Sequence, residues 1–170
     1  ARGPIVVMGE ALVDVVPDGR GGTRAVPGGS GLNTAIALAR LDLTISFIGS
    51  LSHDEDGREL ARFMREERID LRHTHVSSRR CPGVFVTTDA QGSPVYDLQV
   101  SDSALVDAPS RWTLPSNILH LHATSFGSTI GAAGEAALAS LRDVRGRAST
   151  SFDPNIRTQV FDDRASIPLL

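Results

Sequence analysis

The sequence predicts an α/β fold, a twisted and mainly parallel sheet with helices on both faces. Two observations carry this: short apolar runs of β-formers alternate with segments of helical spacing, and that alternation resumes after a hairpin-like interruption in the middle of the chain.

Residues 5–8 and 12–16 read as strands, and Leu32, Ala35, Ile36 and Ala39 then recur at helical spacing. The cycle returns with a strand over 45–48 and a helix over about 57–68, whose Leu60, Phe63 and Met64 share one face. A short strand near 71–76 follows. In the middle, residues 84–88 and 95–100 flank Asp89-Ala90-Gln91-Gly92, a turn composition typical of an antiparallel hairpin. Alternation then resumes with a strand over 118–123, an Ala-rich helix over 129–142, and a strand over 148–152 that runs into Asp153-Pro154-Asn155. No internal repeat or low-complexity linker interrupts this order.

A chain of 170 residues with 41% hydrophobic and 22% charged content suits one soluble, core-forming domain. The formal charge of -3, with no basic cluster longer than Arg79-Arg80, argues against a surface that tracks nucleic-acid phosphates. All 17 basic residues are arginine, which excludes a Walker lysine and a Schiff-base lysine within these residues. Cys81 is the lone cysteine and makes no internal disulfide. The first apolar run, residues 5–8, is too short for a signal peptide or a membrane span, so the expected home is cytoplasmic, with no membrane partner.

In an open sheet of this kind ligands bind outside the carboxyl ends of the strands, so the loops that follow strands matter most. Those loops hold Glu10 and Asp14, residues 28–33, 49–57 and 125–128, and residues 153–157. Pro27-Gly28-Gly29-Ser30-Gly31-Leu32-Asn33 sits where a loop becomes a helix, and its glycines would let a ligand approach bare N–H groups at the positive helix end. It is not a dinucleotide fingerprint, which would need glycine where Thr34 stands. The competing reading is a plain turn with Asn33 as a cap. Asp14, near the end of an apolar run, has no packing role and could accept from two neighbouring hydroxyls; the plainer alternative is a solvent-facing strand acid. Asp54 and Asp56 read as helix N-terminal acids. His120 with His122, and His73 with His75, lack a third ligand signal and read as strand-edge or interface histidines. Ala123-Thr124-Ser125-Phe126-Gly127 has the context of a hydrolase nucleophile elbow, yet no histidine follows Ser125 to complete a triad.

Three segments, in this order, resemble the PfkB carbohydrate kinases: Gly9-Glu10-Ala11-Leu12-Val13-Asp14, Pro27-Gly28-Gly29 with Asn33, and Phe152-Asp153-Pro154-Asn155-Ile156-Arg157. Residues 49–57 are similar to the family's G-x-L-G-x-D-x-x-G pattern, with Ser52 replacing the middle glycine. The resemblance implies a ribokinase-like, doubly wound domain with a small β lid, its strands around 12–26 and 72–105. It implies that Asp14, Gly28, Gly29 and Asn33 hold the sugar, and that Asn155 and Arg157 approach the nucleotide phosphates or the sugar's far end. No contact is carried over to residues 96–106.

The family transfers phosphate from ATP, usually with Mg2+, to a sugar hydroxyl activated by an Asp in a late G-A-G-D motif. That motif is missing here, and Gly131-Ala132-Ala133-Gly134-Glu135 imitates it only loosely, with an extra Ala and a Glu. The catalytic base is therefore expected beyond Leu170, the chain is expected to be the N-terminal part of the domain, and alone it is expected to be inactive. The opening Gly9–Asp14 segment is similar to fructokinases and 2-keto-3-deoxygluconate kinases, with fructose favoured. A non-catalytic sugar-binding relative is the alternative from another class, and a homodimer through the lid is plausible by analogy.

Overall fold

The computed structural model describes residues 3–88 and 91–155. Its central sheet has four parallel strands in the order β10-β9-β1-β4, formed by β1 (Ile5–Met8), β4 (Ile45–Ile48), β9 (His120–Thr124) and β10 (Ser149–Asp153). Apolar side chains on both faces of β1 and β4 are buried, as expected for strands covered from two sides. On one face Val7, Ile45 and Phe47 pack with Leu32, Ala35 and Ile36 of α1 (Ser30–Arg40) and with Leu60 and Met64 of α2 (Glu55–Glu66). On the other, Val6, Met8, Ile48, Leu121 and Ala123 pack with Ala136 and Ala137 of α3 (Gly131–Asp143) and with Trp112. Helices thus cover both faces, as the alternation predicts.

The chain leaves β1 toward β4 on one side and later returns to β9 and β10 on the other. Strand order therefore reverses at β1, and the crevice beyond the carboxyl ends of β1 and β9 is the topological switch point.

A second sheet, in the order β3-β2-β7-β8, joins β2 (Leu12–Pro17), β3 (Thr23–Gly28), β7 (Gly83–Thr88) and β8 (Pro94–Gln99). Strands β2 and β3, and likewise β7 and β8, pair antiparallel, while β2 and β7 run parallel. The turn joining β7 to β8 includes Gly92 at φ 81°, and Asp89 and Ala90 lie outside the described residues. Of the segment 71–76, only its end is extended: β6 (His75–Ser77) pairs with β5 (Ser50–Ser52), apart from the second sheet. Among the described residues no helix is long and apolar enough to cross a membrane.

Asp54 is the N-cap of α2, accepting from Gly57 N at 2.9 Å, and its other oxygen accepts from Cys81 N at 2.6 Å. Burial works to raise this carboxyl, but the N–H donors outweigh it and hold the group below the usual carboxylate range. Its contribution to stability is thus present above the ordinary carboxylate pKa and fades as pH falls through the lowered one. Asp54→Ala is expected to cost about 1–2 kcal/mol, read as a lower urea midpoint at unchanged slope. An unmoved midpoint would contradict this role.

Candidate functional site

At the switch point the chain leaves β1 through Gly9 and Glu10 and leaves β9 through Ser125, while Asn155 follows β10. These loops, the start of α1 and the second sheet enclose a cleft of about 660 Å3. Asp14, Gly29 and Asn33 line it together with Glu10, Ser125 and Asn155, and β8 contributes Tyr96 and Leu98. Gly28 ends β3 beside them, and a Cβ built there would stand 2.2 Å from Asp14 Oδ2. Arg157 lies outside the described residues.

Asp14 is half-buried on β2, and burial alone pushes its carboxyl above the usual range. Among the described residues it meets no cation and no hydrogen-bond donor. Gly29 has φ 103°, and a Cβ there would lie 2.8 Å from the Glu10 carbonyl oxygen. Both the conformation and the close approach require glycine. Asn33 is not a cap: it lies inside α1, exposed toward the cleft, and its N–H donates to the Gly29 carbonyl at 2.9 Å.

Glu10 is the residue that spacing did not single out. It is 2% exposed. Its Oε1 accepts from Ser30 N at 2.8 Å and its Oε2 from Gly127 N at 3.1 Å. Burial pushes this carboxyl up from the usual range, and the Gly127 and Ser30 N–H groups and the Ser125 side chain pull it partly back. Helix α1 has no side-chain cap of its own at Gly29, so the Glu10 carboxylate and carbonyl satisfy the first N–H groups of the helix from outside.

Ser125 sits at φ 56°, ψ -152°, and Asn155 at φ 43°. Both are unusual for residues with a Cβ, and such positions gather at functional sites. Asn155 Nδ2 donates to Ser125 Oγ at 3.1 Å. Among the described residues no histidine lines the cleft, so Ser125 lacks the imidazole base of an acyl-transfer triad. Ser52, in the place of the pattern's glycine, fits an extended strand, donating to Arg79 O at 2.6 Å and accepting from Asp54 N at 3.0 Å. Glu135 is exposed on α3 and does not line the cleft. His120 binds the hydroxyls of Ser149 and Ser151, and His122 that of Ser151. His75 faces Asp107 at 3.5 Å.

The model of the pfkB family carbohydrate kinase matches residues 4–167. The chain belongs to the pfkB family of carbohydrate kinases. It is 32% identical over 169 residues to a fructokinase of Salmonella typhimurium, an alignment that covers 94% of this chain and 53% of the relative. Its fold is similar to that of the fructokinase from Vibrio cholerae O395 in apo form, with a TM-score of 0.81 at 26% identity, covering 98% of this chain and 58% of that one. The same Vibrio fructokinase in its fructose, ADP and calcium ion bound form gives a TM-score of 0.76 at 27% identity, covering 94% and 53%. The chain spans about half the length of the curated relatives it matches. The ribokinase-like architecture expected from the three motifs is thus the architecture found.

Proposed function

We propose that the chain supplies the sugar-holding side of an ATP-dependent sugar kinase, with fructose as the favoured acceptor. The observation that carries this is Asp14. A half-buried carboxylate with no partner among the described residues, facing a cleft at the switch point, is costly unless a ligand satisfies it. Sugar hydroxyls do so, and two neighbouring hydroxyls can each donate to one oxygen. Gly28 and Gly29 keep the adjacent backbone bare, and the Asn33 amide can both donate to and accept from a third hydroxyl. The likeness to fructokinases supports fructose over 2-keto-3-deoxygluconate.

ATP enters this proposal as the phosphoryl donor, and the family resemblance assigns Asn155 and Arg157 to its phosphates or to the far end of the sugar. Mg2+ would screen the triphosphate charge when bound. Among the described residues no group of three or more His, Cys, Asp or Glu side chains gathers to hold a metal, so no step is derived through it. Phosphoryl transfer also needs an acid to take the hydroxyl proton and amides to hold developing charge. The 170 residues contain no G-A-G-D motif to supply them. In this reading they orient the acceptor and do not deprotonate it. Tyr96 and Leu98 of the second sheet would cover the sugar as the lid. Exposed Phe85 and Val95 on the same sheet support pairing of two copies through it.

The test is calorimetric titration of the full-length gene product with fructose, 2-keto-3-deoxygluconate and ribose, joined to an ADP-release assay. Fructose-dependent ADP release supports the reading; sugar binding without ADP release favours a non-catalytic relative. No binding of any sugar removes it. A polypeptide of these 170 residues is expected to form no sugar phosphate above background, and formation abolished by Glu135→Gln would reverse that expectation.

A further inference from the structure

The cleft has two walls that are remote in sequence, the start of α1 and the turn after β9; the Ser30 and Thr124 hydroxyls meet at 2.9 Å between them, and Glu10 binds the backbone of both. Glu10 reaches Ser30, 20 residues away, with one oxygen and Gly127, 117 residues away, with the other. The backbone on which it stands is gripped from both sides. A Cβ at Gly31 would lie 2.9 Å from Glu10 N, and one at Gly127 would lie 2.5 Å from the same atom. Neither wall can shift toward Glu10, and the carboxylate prevents either from shifting away.

The bridge extends further. The Ser125 hydroxyl also interacts with the Glu10 carboxylate, and Ser125 Oγ accepts from Asn155 Nδ2. Ser125 and Asn155, both in strained conformations, are thus joined by a hydrogen bond beside the Glu10 carboxylate. No cation takes part. The groups facing Glu10 are neutral on α1, on the turn after β9 and at Asn155, and the other acid on the cleft is Asp14 of β2.

From this geometry we infer that Glu10 is the positioning residue of the sugar cleft: its carboxyl group, accepting from both sides, fixes the Gly29–Asn33 wall against the Ser125–Asn155 wall, so that both meet one ligand. The inference rests on the sugar-binding reading of the cleft. Each carboxyl oxygen accepts from a backbone N–H, so protonation weakens the bridge and replacement of one oxygen by a donor opens an arm of it.

Glu10→Gln keeps the shape of the side chain but turns one acceptor into an NH2 group facing an N–H. In the full-length protein it is expected to raise the sugar Kd about tenfold or more, with the ATP KM changed by less than about twofold. A merely structural residue would shift both together. Burial has raised the Glu10 carboxyl, so it takes up a proton at higher pH than an ordinary glutamate, and sugar affinity of the unaltered protein should fall on that acid limb. Asp14, the other acid on the cleft, is also raised by burial and adds its own part to the limb, so Glu10→Gln should leave a weaker limb due to Asp14, Asp14→Asn one due to Glu10, and the double variant none. Should Glu10→Gln fail to fold, Ser125→Ala, which removes the hydroxyl that holds Asn155 beside Glu10, is expected to weaken sugar binding severalfold. A folded Glu10→Gln protein, or failing that a folded Ser125→Ala protein, with unaltered sugar affinity and acid limb overturns the inference alone. An unaltered protein that binds no sugar overturns it together with the sugar reading.

Discussion

Asp14→Ala in the full-length protein is expected to weaken sugar binding by roughly 10- to 150-fold or more, since a single hydrogen bond to a charged group is worth about 1.5–3 kcal/mol. ATP binding should change by less than about twofold. The selectivity follows from position: Asp14 is on β2, beside Gly28 and Gly29, and Asn155 is on the opposite loop. The stability response has the opposite sign. Burial without a partner raises the folded-state pKa of Asp14 above its unfolded value, so the folded protein holds the proton more tightly than the unfolded chain. Ionisation therefore costs stability as pH rises past the unfolded pKa, and the cost is complete above the folded one. Removing the carboxyl relieves that cost, and the ligand-free variant should melt at or above the temperature of the parent at neutral pH. A lower melting temperature with unchanged sugar affinity would return Asp14 to a structural acid. Gly28→Ala is an independent check. Its new Cβ would meet Asp14 Oδ2 at 2.2 Å, but that atom is the free end of a side chain. The fold should survive while the carboxylate swings aside and sugar affinity falls.

How much of this was legible follows the range of each interaction. Strands β1 and β4 could be read because burial on both faces demands unbroken apolar runs. The second sheet was visible as the 83–99 hairpin and as the apolar run of β2. Its β3 was not distinct, because Thr23, Arg24 and Pro27 sit on an edge strand where exposure and a missing N–H are tolerated. Ser50–Ser52 read as loop since a three-residue buried strand with one apolar residue, Leu51, between two serines has no apolar run to mark it. The strand assigned to 71–76 began too early: Asp70 accepts from Arg72 N at 3.0 Å and bends the chain there. Asp14, Gly29 and Asn33, which line the cleft, could be named beforehand because an acid in an apolar run and a glycine-rich loop are local marks and the family motifs contain them. Glu10 could not, because its role exists only through Ser30 and Gly127, and no local pattern encodes a bridge between two loops. Tyr96 and Leu98 were missed for the same reason, since folding of the hairpin over the cleft brings them in.

Gly127→Ala is expected to be the most damaging single methyl in the described residues around the cleft. The nucleophile-elbow pattern offers a turn as the reason for this glycine, but φ there is not in the left-handed region, and the reason is space. A Cβ would stand 2.3 Å from Gly9 C, 2.5 Å from Glu10 N and 2.7 Å from Gly9 O, all of them backbone at the end of β1. No side chain can rotate out of the way. The turn after β9 must withdraw, which stretches Gly127 N to Glu10 Oε2 and Ser128 Oγ to the Met8 carbonyl, now 3.1 and 2.9 Å. Overpacking together with loss of a hydrogen bond to a buried charge should cost roughly 2–5 kcal/mol, lowering the melting temperature by roughly 5–15 °C. Gly131→Ala separates the two causes. That glycine has φ 48° and nothing within 4 Å of its absent Cβ, so its replacement carries backbone strain alone. It should cost about 1 kcal/mol. If Gly127→Ala melts no lower than Gly131→Ala, the tight seating of the β9 turn on Gly9 and Glu10 is wrong, and with it the frame on which the cleft is built.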